Sequence, residues 1–329
     1  MSAGWLRWAA GRLRGERGSQ AARRDGIDKG FESRLVWLLG SPRSGSTWLM
    51  RQLAGHPAVV PINEPLIGQH LAPFFSDEPG IRAEDLDSGN FTPSRYLGGA
   101  GQYFFAEEFR DVWAPLLGSM MRARFHAHAA ARPAGVPLSE TFVVLKEPHG
   151  SQAADLIAEA LPESRLLFLL RDGRDVVDSE LTAAAKGSWL GDVFPVVAGI
   201  APDERLAFVG QSAHKWLWRT EVVEQAYAAH QGPKLLLRYE DMLADAAAQL
   251  RRVFHWLGLD MSAADLESLV ESQSFERLPA EHRGPDKIFR AAQPGQWREN
   301  LSADEQEVVE RVMGPKLREL GYEFRDPSN

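Results

Sequence analysis

The sequence has 329 residues, of which 44% are hydrophobic and 25% are charged, and this balance excludes intrinsic disorder for most of the chain. Its 37 basic and 45 acidic residues give a net charge of −8, which argues against a nucleic-acid binder, because such proteins neutralise phosphates with an excess of cations. The absence of cysteine excludes disulfides, thiolate zinc sites and cysteine nucleophiles, and it fits the reducing cytoplasm where we expect the protein.

Residues 1–30 are expected to form a flexible, basic N-terminal extension. The first 24 residues contain six arginines and one glutamate, and Arg7 interrupts a short apolar stretch, which makes a poor secretory signal. No segment has the run of about 18 apolar residues that a transmembrane helix needs. A peripheral contact of this extension with an anionic membrane surface or with a partner is the alternative interpretation.

Residues 31–329 are predicted to form a single α/β domain, because apolar segments of strand length alternate with segments of helical pattern. The predicted strands are 35–39, 141–145, 165–170 and 235–239, and the predicted helices are 47–54, 151–161, 203–230 and 246–257. Continuous apolar strands separated by helices are typical of an open, doubly wound parallel sheet that is covered on both faces.

One long segment, from about residue 65 to 137, departs from this alternation. It is rich in glycine, proline and aromatic residues and contains no second regular strand–helix repeat. We therefore predict an insertion that caps the ligand cleft. Further along the chain, Trp216 and Trp218 lie in the helix predicted at 203–230, and we expect them to pack in the core.

The segment from Gly40 to Thr47 (GSPRSGST) follows the first strand and opens a helix, which is the junction where backbone N–H groups and the helix dipole bind anions. Its glycine spacing matches the Walker loop of nucleotide triphosphatases, but Ser46 occupies the position of the Walker lysine. That substitution argues against hydrolysis of ATP or GTP. A cation is present instead at Arg43, inside the loop.

A second anion site is predicted after the third strand, where Arg171 stands at the carboxyl end of the strand and open α/β sheets bind their ligands. Ser179 lies about two helical turns further on. By itself the R-D-x-R-D pattern that begins at Arg171 is equally consistent with salt bridges at a helix start. Together with the first loop, it indicates a nucleotide that carries two separated phosphate groups.

These motifs resemble those of sulfotransferases that use 3′-phosphoadenosine 5′-phosphosulfate (PAPS). The loop SPRSGSTWL is similar to their 5′-phosphosulfate loop, LLRDGRDVVDS to their 3′-phosphate motif, and LRYED to a later strand ending in Tyr-Glu-Asp. The segment 289–298 is similar to their C-terminal nucleotide loop, although Ala291 and Ala292 replace the usual lysine and glycine. The resemblance implies a P-loop-type fold and these PAPS-binding residues: Arg43, Ser44, Gly45, Ser46, Thr47, Arg171, Ser179, Tyr239 and Arg290.

The catalytic residues that the resemblance implies are Glu64, Arg43 and Lys146. The arginine in the loop and the following HPAVVPINEP segment are similar to the tyrosylprotein-type branch of the family, in which a glutamate at the position of Glu64 is the general base. The segment LKEP resembles the element that supplies that branch with its catalytic lysine, at Lys146. His149, His70 and His126 are alternative bases, because imidazole titrates near neutral pH.

The resulting hypothesis is sulfuryl transfer from PAPS to a hydroxyl or amine of a small-molecule, glycan or lipid-like acceptor, with 3′,5′-adenosine bisphosphate as the other product. Arg43 and Lys146 would supply the positive charge at the leaving phosphate, so no metal is expected to be required. Two alternatives stay open at this point. One is a nucleotide kinase or other phosphotransferase with a P-loop fold, and the other is a non-catalytic nucleotide-binding module.

Overall fold

The computed structural model describes residues 30–68, 107–132, 135–185, 199–273, 277 and 293–322. Within them, one sheet is formed by the strands β1 Leu35–Leu39, β2 Val59–Asn63, β3 Phe142–Lys146, β4 Arg165–Leu170 and β5 Lys234–Arg238. The order across the sheet is β2-β3-β1-β4-β5, and every neighbouring pair is parallel. The predicted α/β fold with a parallel sheet is therefore confirmed.

β1 occupies the centre of the sheet, with Trp37 opposite Leu145 of β3 on one side and opposite Leu166 of β4 on the other. The chain leaves β1 toward the β2 edge and leaves β4 toward the β5 edge. The gap between the carboxyl ends of β1 and β4 is therefore the topological switch point, where open α/β sheets bind ligands.

β2 was not predicted from the sequence. Its segment VVPIN contains Pro61, which cannot donate to the strand ladder, and only its first two residues are buried. Among the described strands, β2 pairs with β3 alone. An edge strand tolerates a proline because one side of its backbone has no strand partner.

The described helices cover both faces of the sheet. They are α1 Ser46–Leu53, α2 Arg110–Ala130, α3 Ala154–Ala160, α4 Gly173–Ala183, α5 Arg205–Ala229, α6 Tyr239–Ala244, α7 Ala246–Leu257, α8 Ala263–Ser272, α9 Trp297–Asn300 and α10 Ala303–Glu319. Short 3₁₀ helices precede β1, α2, β3 and α3. α7 agrees with its predicted bounds, and its N-cap Asp245 accepts a hydrogen bond from the Ala248 N–H at 2.9 Å.

Alternating residues of the central strand contribute to two hydrophobic cores. Trp37 packs with side chains of α2, α3, α4, α5 and α10 on one face, whereas Leu38 packs with those of α1, α7 and α8 on the other. Trp216 is buried in the first core, as predicted, and Trp218 is half-buried. This two-sided burial explains why β1, β3 and β4 have continuous apolar sequences.

α2 lies inside the segment that the sequence indicates as a capping insertion, yet its buried side chains Trp113, Leu117, Met121 and Phe125 belong to the first core. This part of the segment therefore supports the sheet. Residues 69–106 of the segment lie outside the described residues, as do residues 1–29, so the cap and the flexible extension stay predictions. In the part of the chain that the structure describes, no helix is long and apolar enough to cross a membrane.

Candidate active site

The loop between β1 and α1 has the geometry of an anion-binding turn. Arg43 and Gly45 adopt left-handed backbone conformations, with φ angles of 67° and 86°, and α1 begins directly afterwards. Because Gly45 is the N-cap and has no side chain, the first N–H groups of α1 have no side-chain acceptor there, which favours an anion. Glycine is required at this position because a Cβ would lie 2.5 Å from the ring of Tyr239.

Three buried polar atoms in and beside this loop lack a hydrogen-bond partner among the described residues. They are Ser41 Oγ, Ser44 Oγ and Arg171 Nε. An unsatisfied buried polar group costs about 1–3 kcal/mol, so their concentration at one loop is unfavourable unless a ligand satisfies them. Hydroxyl and guanidinium donors suit a phosphate or sulfate group.

Arg171 is held against the loop from several directions. Its Nη1 donates to the carbonyl oxygen of Arg43 at 2.6 Å, and its guanidinium carbon lies 4.5 Å from the centroid of the Tyr239 ring. The backbone of Arg171 is also fixed, because Trp216 Nε1 donates to its carbonyl oxygen at 3.2 Å. Tyr239 thus packs on both the loop and Arg171.

The two predicted anion sites meet in the structure. Arg43 Nε donates to Ser179 Oγ at 3.1 Å, although 136 residues separate the two in sequence. Arg171, Ser179 and the loop after β1 therefore form one continuous surface at the switch point. Arg290 lies outside the described residues.

The remaining charges of the R-D-x-R-D pattern support the structure rather than the site. Arg174 forms an ion pair with Asp172 at 2.7 Å, and Asp172 also accepts from the Arg174 N–H as the N-cap of α4. Asp175 accepts from the Gly295 N–H at 2.8 Å. Burial raises the pKa of Asp175 in spite of this hydrogen bond. Only Arg171 of this pattern remains directed at the loop.

Glu64, Lys146 and Thr47 form a second polar cluster beside the loop. Lys146 is the last residue of β3 and only 4% exposed, and its Nζ donates to Glu64 Oε1 at 2.6 Å and to Thr47 Oγ1 at 3.0 Å. Glu64 follows β2 directly, and its N–H donates to the Lys146 carbonyl oxygen at 2.9 Å. Three segments distant in sequence thus bring a carboxylate and an ammonium group to the first turn of α1.

The structure distinguishes between the histidines that are alternative bases. His149 follows Lys146 and interacts electrostatically with Lys146 and Glu64. The residue is exposed at the surface, yet desolvation by the surrounding protein and the positive charge of Arg219 lower its pKa to about 4. His126 packs edge-on against Phe31, at a centroid distance of 5.1 Å, before the start of β1 and thus at the opposite end of the sheet. His126 is therefore excluded as a base at this site. His70 lies outside the described residues.

The two tryptophans near the motifs pack against neighbouring side chains. Trp48 Nε1 donates to the Gln273 carbonyl oxygen at 3.2 Å, and its ring lies edge-on to Tyr239. Trp297 is 8% exposed, and the guanidinium carbons of Arg174 and Arg298 lie 4.4 and 4.6 Å from its ring centroids. Both tryptophans thus contribute to packing around the loop and α4.

Two glutamates near the site were not identified from the sequence: Glu240, which is half-buried, and Glu147, which is fully buried. Glu240 accepts from the Asp172 N–H at 2.9 Å and so fixes the turn after β4. Glu147 accepts from the Leu66 N–H at 2.9 Å and has no exposed surface. A signal was available for Glu147, because it is a charged residue between a buried strand and a proline.

The chain is similar to proteins of known family and structure. Residues 36–263 match the profile described as "Sulfotransferase family". Mouse sulfotransferase SULT7A1, solved in complex with PAP, is 12% identical with a TM-score of 0.51, and the similarity covers 88% of this chain and 87% of the mouse chain. Sulfotransferase STF9 from Mycobacterium avium is 14% identical with a TM-score of 0.47, over 88% and 78% of the two chains. No protein of curated function matches the sequence.

At these identities the similarity to the mouse structure supports the fold alone, and the profile match identifies the family. It covers more than half of the chain and includes the loop after β1, Lys146 and the motif that starts at Arg171. The family and the enzyme class predicted from the motifs are thereby confirmed, whereas the tyrosylprotein-type resemblance stays a prediction. The chain belongs to the sulfotransferase family.

Proposed function

We propose that the protein transfers a sulfuryl group from PAPS to a hydroxyl or amine of a small-molecule, glycan or lipid-like acceptor, with Glu64 as the general base. The observation that carries the proposal is the contact of Lys146 Nζ with both Glu64 Oε1 and Thr47 Oγ1. This contact joins a carboxylate and an ammonium group to the helix N-terminus of the anion-binding loop, which is the combination that sulfuryl transfer requires.

The residues present fit PAPS. The backbone and hydroxyl groups of residues 43–47 would hold the 5′-phosphosulfate, and the unpaired Ser44 Oγ supports this assignment. Arg171 and Ser179 would hold the 3′-phosphate, with Arg290 as a further contact. The mouse sulfotransferase of the same fold was solved with PAP, which is 3′,5′-adenosine bisphosphate. This complex supports PAPS as the donor and the bisphosphate as the product.

In the proposed reaction, PAPS supplies the sulfuryl group, and its sulfur–oxygen bond to the 5′-phosphate breaks as a bond from sulfur to the acceptor oxygen or nitrogen forms. Glu64 takes the proton that the acceptor loses. Its Oε1 is engaged by Lys146, and its Oε2 has no hydrogen-bond partner among the described residues, so Oε2 is the atom available for that proton. Positioning the acceptor beside Oε2 is worth more than basicity alone, because orientation removes much of the entropic barrier.

Positive charge at the leaving phosphate is assigned to Lys146 and Arg43. Lys146 reaches the loop from the end of β3, where it contacts Thr47, and Arg43 is part of the loop and contacts Ser179. Two fixed cations stabilise the charge that develops on the leaving oxygen. We therefore propose a mechanism without an obligatory metal ion, and we expect no nucleic-acid partner because the chain carries an excess of acidic residues.

The substitution Glu64→Gln tests the base. It keeps the size of the side chain and an oxygen for Lys146 but cannot accept a proton, so turnover of a neutral alcohol should fall by about 10²- to 10⁴-fold. Affinity for 3′,5′-adenosine bisphosphate should change little. Glu159→Gln is the matched control, because Glu159 pairs with Arg110 on the surface of α3 and should leave turnover unchanged.

Other outcomes would select other functions. Turnover within a few-fold of the wild type would remove Glu64 from the mechanism and make His149 the next residue to test. A protein that binds 3′,5′-adenosine bisphosphate but transfers no sulfuryl group to any acceptor, as monitored by intact-mass detection of the acceptors, would favour a non-catalytic nucleotide-binding module. Stronger thermal stabilisation by ATP with magnesium than by the bisphosphate would favour a phosphotransferase.

A further inference from the structure

Glu147 is a buried carboxylate with no part in the proposed reaction. It directly follows Lys146 and has no exposed surface. Its backbone is fixed on both sides, because its N–H donates to the Leu38 carbonyl oxygen at 3.0 Å and its own carbonyl oxygen accepts from the Gly150 N–H at 3.1 Å. The side chain therefore extends from a rigid position at the carboxyl edge of the sheet.

From that position the Glu147 side chain reaches the segment that carries the proposed base. We call residues 64–68 the base turn. Glu147 Oε2 accepts from the Leu66 N–H at 2.9 Å, and the Glu64 N–H donates to the Lys146 carbonyl oxygen. The far end of the base turn is packed equally closely, since a Cβ on Gly68 would lie 2.0 Å from the carbonyl oxygen of residue 150.

The base turn has a backbone conformation that needs external support. Glu64 and Leu66 both have left-handed φ angles, 49° and 59°, with Pro65 between them. Such a conformation costs a residue with a Cβ about 1–2 kcal/mol, and it persists only where surrounding contacts hold it. The hydrogen bond to Glu147 is the side-chain contact that holds the second of these residues.

The pKa of Glu147 shows that the folded protein holds this carboxyl group away from water, where its charged form is unfavourable. Burial raises its pKa to about 7, and the hydrogen bond from the Leu66 N–H, together with the nearby backbone of Gly68, offsets this only in part. The charged groups that face it are Glu64, which raises the pKa further, and Lys146, which lowers it. Its Oε1 is buried and has no hydrogen-bond partner among the described residues.

We infer that Glu147 is a positioning residue, which holds the base turn against the end of β3 so that the Glu64 carboxylate stays on Lys146. The inference rests on the proposed function, in which Glu64 is the base. Glu147 itself touches no reacting atom, and it acts through the Leu66 N–H and the backbone that leads to Glu64.

The first test compares two substitutions of Glu147. Glu147→Asp shortens the side chain by one methylene and withdraws the acceptor from Leu66, so kcat should fall by about 10- to 100-fold, since a misplacement of about 1 Å has costs of this size. Affinity for 3′,5′-adenosine bisphosphate should stay within about twofold. Glu147→Gln keeps an oxygen at the same reach and should restore kcat to within about fivefold of the wild type.

Glu32→Asp is the matched control. Glu32 is a buried glutamate whose Oε1 likewise accepts a backbone N–H, from Glu163 at 2.9 Å. It directly precedes β1 and so lies at the amino ends of the strands, opposite the site. Its shortening should lower the midpoint of thermal unfolding without changing kcat. Equal losses of kcat in the two Asp variants would overturn the inference, because both would then report general destabilisation.

The second test combines Glu147→Asp with Glu64→Gln. If Glu147 acts through Glu64, the double variant should be no slower than Glu64→Gln alone. A further 10- to 100-fold loss would overturn the inference and leave the base role intact, whereas wild-type turnover by Glu64→Gln would reject the base and the inference together.

If Glu147→Asp does not fold, amide hydrogen exchange of the wild type decides: a protected Leu66 amide is expected, and an unprotected one overturns the inference.

Discussion

On the side of the site that we propose for the nucleotide (the nucleotide side), Ser41 Oγ, Ser44 Oγ and Arg171 Nε are buried without hydrogen-bond partners among the described residues. On the side that we propose for the acceptor (the acceptor side), Lys146 bonds to Glu64 and Thr47. The first arrangement is unfavourable until an anion arrives, so it contributes to binding. In the second, the charged groups already bond to one another, so we expect it to contribute to orientation during the proposed reaction. Substitutions on the two sides should accordingly change different quantities, affinity on the first and rate on the second.

Lys146→Met should have the largest effect and should separate the two sides most clearly. It removes the charge that pairs with Glu64 and that we assign to the leaving phosphate, so kcat should fall by about 10²- to 10³-fold. Affinity for 3′,5′-adenosine bisphosphate, measured by calorimetry, should change only a few-fold.

The control for this prediction is Lys316→Met. Lys316 pairs with Glu224 and Glu319 at 3.1 and 2.8 Å, within the α5 and α10 layer, and its loss should leave both quantities unchanged. If Lys146→Met instead abolished nucleotide affinity at an unchanged rate of transfer at saturation, the division into two sides would be wrong.

The next effect concerns stability on the acceptor side. The pKa of Glu147 rises from an ordinary value of 4.5 to about 7 on folding, so between these pH values the folded protein holds a proton that the unfolded chain has released. Raising the pH through this window therefore destabilises the wild type, whereas Glu147→Gln has no such proton. The difference in unfolding free energy, variant minus wild type, should increase by up to about 3 kcal/mol from pH 5 to pH 7.5.

Denaturant unfolding at several pH values checks this expectation. The buried amide of the glutamine lowers stability by an amount that does not depend on pH, so the slope rather than the absolute difference is informative. Parallel curves for the two proteins would show that Glu147 is ionised at pH 5 in the folded state.

Arg171→Ala should have a smaller effect, confined to the nucleotide side. Charge-assisted hydrogen bonds are worth about 1.5–3 kcal/mol, so affinity for 3′,5′-adenosine bisphosphate should fall by about 10- to 100-fold. AMP lacks the 3′-phosphate and should bind the variant and the wild type almost equally. Calorimetry that finds the same loss for both nucleotides would reject Arg171 as the 3′-phosphate contact.

The smallest expected effect is that of a chelator, because Lys146 and Arg43 are assigned the charge that a metal ion would otherwise supply. Turnover with excess EDTA should equal turnover without it. Loss of activity that magnesium restores would contradict the proposed mechanism.

The sequence predicted the strands that have continuous apolar sequences and the loop that has a local glycine pattern. β4 was predicted to the residue because its apolar run is continuous, and the loop at Gly40–Thr47 was recognised because its glycines and its position after a strand are local features. β2 was missed because an edge strand needs no such run and tolerates Pro61. α2 was missed because Pro115 lies inside it and its apolar residues are not confined to one stripe.

The sequence could not predict roles that depend on contacts between distant segments. Asp172, Arg174 and Asp175 resemble phosphate-site residues in sequence, and only the structure shows that they bond to one another and to Gly295. Likewise, the meeting of Glu147 with Leu66 depends on the pairing of β2 with β3, which the sequence did not predict. Motif resemblance implied catalytic roles for Glu64 and Lys146, and the structure adds the contact that joins them.

The order of the strands also determines when the site can form during folding. Lys146 lies 99 residues beyond Thr47, and Ser179 lies 136 residues beyond Arg43, so both contacts close long loops. Such pairings form late, after much chain entropy has been lost. A nascent chain that ends before β4 contains the complete loop between β1 and α1 and Lys146, yet it lacks Arg171, Ser179 and Tyr239, which also contact the loop. We therefore expect the proposed nucleotide affinity to be a property of the assembled domain and a sensitive measure of complete folding.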